Sequence, residues 1–196
     1  MNNAPSNSPG TDRGSLAAGA TSAPHAPGPE PRPFWPRLLA YRMWILVGLL
    51  VLALDQLTKF WIVARLPYQT FSESGGAIPI VRGFLTLVHV GNTGAAWSMF
   101  SGMSVLLALL AVSTLVAIVI WRHTLGLRDR TTQVCFGLLC GGIAGNLVDR
   151  LIHHHVVDFI DLYFARWDYH YPTFNVADSG ICIGVILYLW HGFREK

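Results

Sequence analysis

The sequence predicts an all-α membrane protein, with four membrane-crossing helices and a small sheet outside the membrane between the first and second. Three observations predict it. Of 196 residues, 52% are hydrophobic and only 13% are charged, about half the charged share of a typical soluble domain. Apolar runs long enough to cross a bilayer recur four times after residue 42. Lys and Arg then divide unequally between the segments that join those runs.

The same composition excludes several classes. A net charge of +3 cannot supply the basic stripe that a nucleic-acid-binding surface needs, so no nucleic acid partner is expected. The three cysteines, Cys135, Cys140 and Cys182, are odd in number and lack CxxC or Cys–His spacing. Neither a disulfide framework nor a zinc finger follows from them.

Residues 1–36 stand apart from the rest. Eight of the 11 prolines fall there, among Ala, Ser, Gly and Asn. Such a stretch buries too little to offset its ordering entropy, so a disordered tail is expected, with residues 37–196 as the four-span domain.

The first span is expected over residues 43–62, opening on the uncharged run MWILVGLLVLAL and carrying Asp55 and Lys59 in its later half. About 20 residues suffice to cross. The run is too long for the core of a cleaved signal peptide, and no A-x-A site follows it. Residues 102–121 and 131–148 contain no charged side chain past Thr131, and the latter ends in the small-residue stretch GGIAGN, which lets helices approach closely. The fourth span covers residues 175–190, with Asp178 near its start.

Four spans place both termini on one side. Nine of the 14 Lys and Arg residues lie there, including Arg122, Arg128 and Arg130 in one short loop, against five on the other side. The termini and that loop are therefore expected in the cytoplasm, with residues 64–101 and 149–173 outside. Within the first outer segment, AIPIVRGFLTLVHV (77–90) is rich in β-branched and aromatic residues and reads as a small sheet on the membrane surface. The second, LYFARWDYHYP (162–172), is crowded with aromatics, as suits the headgroup zone.

The acidic residues carry the chemistry. Six of 11, Asp55, Asp149, Asp158, Asp161, Asp168 and Asp178, fall at the outer membrane entry regions, where ionisable groups are costly and usually functional. Asp158 and Asp178 are 20 positions apart, with an aromatic excursion between them, so the chain can bring them together. Two close carboxylates share a proton: one stays an acid while the other acts as base, which suits activating water against a peptide carbonyl. Taken singly, each aspartate reads better as a helix cap or a partner for Arg. The neighbours shift that balance. Asn146 and Asp149 lie one helical turn apart, as do Asn175 and Asp178, while Asp55 and Lys59 form an i,i+4 pair.

The motifs DQLTK (55–59), NTGAAWS (92–98), GNLVDR (145–150), VVDFID (156–161) and FNVADS (174–179) occur in this order across four spans. Together they resemble the lipoprotein signal peptidase (signal peptidase II) family, over residues 43–190. The resemblance implies an aspartic endopeptidase of the bacterial inner membrane, with its active site at the outer face. It would cut prolipoproteins just before a diacylglyceryl-modified Cys. The implied catalytic pair is Asp158 and Asp178. The supporting and substrate-binding positions are Asp55, Lys59, Asn92, Gly94, Asn146, Asp149, Arg150, Asn175 and Ala177. The extracytoplasmic segment between the first two spans corresponds to the family's β-cradle. No cofactor or metal is implied; the partners are lipidated prolipoproteins and membrane lipids, and the expected state is a monomer. Trp97 stands where the family often has Phe, and the Pro-rich tail is longer than compact members carry.

Other readings compete. Asp149 with Asp178 is the alternative dyad, with Arg150 as Asp149's structural partner in the leading one. A small transporter would use Asp55 and Asp178 as ion sites, but no internal repeat or matching pair of broken helices is visible. A catalytically silent scaffold would not need both aspartates. The run His153–His155 points three ways if helical and does not read as a metal site.

Overall fold

The structure is a computed structural model and describes residues 39–95 and 99–194. The expected tail (1–36) and Trp97 lie outside the described residues. Among the described residues, four helices and four strands follow one another as α1 (Arg42–Arg65), β1 (Ile78–Val81), β2 (Leu85–Asn92), α2 (Ser104–Ile120), α3 (Arg130–His153), β3 (Val156–Phe164), β4 (Tyr169–Phe174) and α4 (Val176–Arg194). Single turns of 3-10 helix occur at Glu73–Gly75 and Ala165–Trp167.

Helices α1, α3 and α4 are long and apolar enough to cross a membrane, whereas the apolar α2 has 17 residues. At 1.5 Å per residue, 24 residues reach about 36 Å, more than the ~30 Å hydrocarbon core. The buried residues of α1 are Val51, Asp55, Lys59 and Ile62, one stripe at helical spacing. Leu46, Leu50, Leu57 and Phe60 on the same helix remain exposed. Charge inward and leucine outward inverts the pattern of a soluble helix and fits a lipid exterior.

Helix α3 packs against the other three. Its N-terminus is capped by Asp129, whose carboxylate accepts from Thr132 N at 2.7 Å. Along its length Gly137, Gly141, Gly142 and Gly145 are buried. A Cβ at Gly141 would lie 2.6 Å from the Gly48 carbonyl oxygen, and one at Gly142 would overlap the carbonyl of Ala177. Glycine at these two positions is what lets α1 and α4 close on α3. At the opposite end from the sheet, Gln133 Oε1 accepts from Met43 N at 3.1 Å and its Nε2 donates to Ala40 O at 2.8 Å. A side chain of α3 thereby holds the start of α1.

The sheet is antiparallel in the order β1-β2-β3-β4. This corrects the expectation of an all-α chain with a sheet drawn only from the segment between the first two helices. Strands β3 and β4 come from the segment between α3 and α4, and the aromatic stretch 162–172 lies in that hairpin. The junction is β2 with β3, registering Asn92 against Val156 and Val90 against Asp158. Val157 and Phe159 pack with Ile62 and Leu66 of the α1 end. Side chains alternate along a strand, so Asp158 between them faces the other way.

Candidate active site

Asp158 enters the site from β3 and is 1% exposed. Its Oδ2 accepts from Asn92 Nδ2 at 2.9 Å and its Oδ1 from Asn175 Nδ2 at 2.7 Å. Asn92 ends β2 and is itself fixed, because Gly94 N donates to its Oδ1 at 2.9 Å. Burial pushes the Asp158 carboxyl up to about 7, and the nearby charge of Asp178 adds to the rise.

Asp178 enters from the first turn of α4. Asn175 precedes that helix and receives Asp178 N on its Oδ1 at 2.9 Å, while Asp178 Oδ2 accepts from Asn175 N at 3.2 Å. This reciprocal arrangement is a capping box, and the helix dipole favours a carboxylate there. Asp178 Oδ1 also accepts from Asn146 Nδ2 at 2.7 Å. One asparagine, Asn175, therefore binds both carboxylates, Asp158 through its side chain and Asp178 through its backbone.

Beneath this pair lies a buried ionic group. Lys59 Nζ sits 2.9 Å from Asp55 Oδ2, 2.8 Å from Asp149 Oδ2 and 2.9 Å from Asn146 Oδ1. Asp55 Oδ1 accepts from Ala177 N at 2.9 Å, and Asp149 Oδ2 accepts from Val157 N at 3.0 Å. The i,i+4 pair read from DQLTK is present. The expected Asp149–Arg150 pair is not: Asp149 bonds Lys59, and Arg150 donates to the carbonyls of Gly94 at 2.9 Å and Asn146 at 3.3 Å. Adjacent helical residues point about 100° apart, so Asp149 turns towards α1 and Arg150 away from it. Asp149 accepts from Lys59, Gln56 and Val157 N, whereas Asp158 and Asp178 both bond Asn175.

Gln56 was not singled out by its sequence position. Its Nε2 donates to Asp149 Oδ1 at 3.0 Å and lies 3.2 Å from both Asp55 Oδ2 and Gly145 O. The available signal was an uncharged amide inside an otherwise apolar span.

The site opens into a cavity of about 900 Å³ whose polar wall includes Asn92, Asn146, Arg150 and Asp178. Its other walls are largely apolar, from Phe174 of β4 and Ile181 of α4. A cavity of that size takes a large organic ligand or an extended peptide segment. Among the described residues no cluster of three His, Cys, Asp or Glu could hold a metal ion.

A family model described as signal peptidase (SPase) II matches residues 47–194. The chain belongs to the signal peptidase II family. Proteins named lipoprotein signal peptidase resemble it over most of their length. The one from Geobacillus kaustophilus is 40% identical over 150 residues, covering 76% of this chain and 91% of the relative. The one from Bacillus subtilis is 37% identical over 147 residues, covering 74% and 89%. Two solved structures described as bacterial membrane enzymes align with TM-scores of 0.68 and 0.66 at 31% identity, over 78% of this chain and 88% and 94% of theirs. As a signal peptidase II member, the chain is a membrane-embedded peptidase.

Proposed function

We propose that this peptidase removes signal peptides from prolipoproteins just before a diacylglyceryl-modified Cys, using Asp158 and Asp178 as its catalytic pair. The observation that carries the reading is the joint hold of Asn175 on both carboxylates. The charge of Asp178 also reaches Asp158, which suits a pair that divides one proton.

In the reaction, the ionised member of the pair takes a proton from water, and the hydroxide attacks the scissile carbonyl carbon. The protonated member gives its proton to the carbonyl oxygen. Collapse of the tetrahedral adduct breaks the C–N bond: the proton first taken from water passes to the leaving nitrogen, and one adduct hydroxyl returns its proton to the other aspartate, which restores the pair. Asn92, Asn146 and Asn175 bond the carboxylates without adding charge. Arg150 and Gly94 line the cavity where an extended peptide would lie. The apolar walls suit the acyl chains, which would place the scissile bond by binding energy remote from the reaction.

The same reading has four spans, with α2 crossing a locally thinned path, in the bacterial inner membrane. Both termini would be cytoplasmic, and the sheet and dyad would lie at the outer face. Nine of 14 basic residues on the terminal side support that orientation. The purified chain assayed on a diacylglyceryl-Cys precursor peptide tests the function. Asp158→Asn and Asp178→Asn should each lower turnover about a thousandfold or more, and the double variant about as much. Comparable cleavage of the unlipidated peptide would overturn the substrate reading. Near-normal turnover by either variant would overturn the dyad.

A further inference from the structure

We infer that Asp55, Lys59 and Asp149 form one clamp that sets the spacing of Asp158 and Asp178, each acid gripping the backbone amide just before one of them. The inference rests on the proposed dyad. Asp55 Oδ1 accepts from Ala177 N at 2.9 Å, and residue 178 follows. Asp149 Oδ2 accepts from Val157 N at 3.0 Å, and residue 158 follows. Lys59 joins the two acids at 2.9 and 2.8 Å. The clamp thus ties together the two elements that carry the pair, because Asp158 rides on a strand and Asp178 on a helix.

Lys59 has a second grip. It donates to Asn146 Oδ1 at 2.9 Å, which fixes that amide with its Nδ2 towards Asp178 Oδ1 at 2.7 Å. An asparagine without the lysine could flip and turn its oxygen to the carboxylate. Gln56 braces the clamp from the side by donating to Asp149 Oδ1 at 3.0 Å. All three members are buried, so their mutual bonds replace those that water would have made. None of them lines the cavity. They are positioning residues, acting through the backbone and through Asn146.

A positioning role separates from mere structural support by the kinetic constant it moves. Misplacing catalytic groups lowers kcat and leaves KM nearly alone, because substrate binds the cavity walls. The experiment compares Asp55→Asn, Asp55→Leu, Asp149→Asn, Asp149→Leu and Lys59→Met in the full chain. Each is taken from the monodisperse size-exclusion fraction and assayed on the diacylglyceryl-Cys peptide beside Asp158→Asn and Asp178→Asn. Asparagine keeps an oxygen for the amide, whereas leucine removes it. The leucine variants should lose about a hundredfold in kcat with KM within about threefold, and the asparagine variants should recover about tenfold of that loss. Lys59→Met should lower kcat by a similar factor. If the leucine or methionine variants fail to fold, the asparagine variants decide: a lowered kcat at unchanged KM supports the clamp. Wild-type kcat in folded asparagine variants would overturn it, as would a loss confined to KM or equal losses for asparagine and leucine. If Asp158→Asn and Asp178→Asn kept their turnover, the dyad and the clamp would fall together. If only those two were inactive, the clamp alone would fall.

Discussion

Asp158 is the residue on which burial and chemistry meet. It is 1% exposed, and its carboxyl is pushed up to about 7 by burial first and by Asp178 second. A carboxyl whose pKa rises on folding holds its proton more tightly in the native chain. Its contribution to stability is therefore complete below about pH 4 and is lost as pH rises towards 7. Asp158→Asn carries no titrating group and keeps an oxygen for Asn175. It should be more stable than wild type at pH 8, by on the order of 2 kcal/mol or more, and so melt at a higher temperature, whereas at pH 4 the two should melt at nearly the same temperature. Thermal melts at the two pH values check this, and no difference at pH 8 would mean that the carboxylate ionises there without cost.

Asp158 and Asp178 were legible in the sequence because acids near an apolar run are expensive. Their neighbours were legible less evenly. The spacing of Asp55 and Lys59 gave their pairing directly, since i and i+4 share a helical face. Adjacency misled at Asp149 and Arg150, which diverge around α3 to separate partners. Gln56 carried no charge to draw notice, and its role depends on Asp149 in another helix.

Among the elements, the helices were readable from composition and the sheet only by half. The β-branched run after residue 77 announced β1 and β2. The stretch at 162–172 satisfied two physical demands at once, since aromatics suit both strands and membrane interfaces. Pairing of β2 with β3 joins segments far apart in sequence, and no local pattern encodes it. The helix contacts were better marked, because GGIAGN permits close approach. Gly142→Ala tests how tightly. Its Cβ would overlap the Ala177 carbonyl and meet Ile181 Cγ1 at 2.8 Å. The variant should lose about 1–3 kcal/mol of stability and also lose turnover, since Asp178 follows Ala177. Gly192→Ala meets nothing within 4 Å and should melt at or slightly above the wild-type temperature, as alanine favours a helix. Equal melting of the two variants would show that α3 and α4 have room to separate.

At the scale of the whole molecule, the helix ends constrain how the proposed enzyme meets its substrate. The C-terminal end of α1, the N-terminal end of α2, the C-terminal end of α3 and the N-terminal end of α4 all lead into the sheet-forming segments or the loop beside them. If every helix crosses, the sheet and dyad share one side of the membrane and the loop holding Arg122 and Arg128 lies on the other. The shortest member is α2, whose 17 residues give about 25 Å of helix, less than the hydrocarbon thickness. Local thinning or polar ends at the interface can absorb that deficit at modest cost. Single cysteines at Ser74 and Arg128, both exposed, decide the matter in a chain whose native cysteines are replaced. A membrane-impermeant maleimide applied to intact cells should label Ser74→Cys and spare Arg128→Cys, and both should react once the membrane is opened. The reverse pattern would invert the protein. Labelling of both in intact cells would overturn the four-span arrangement, because pairing of β2 with β3 requires α3 to start on the side opposite the sheet.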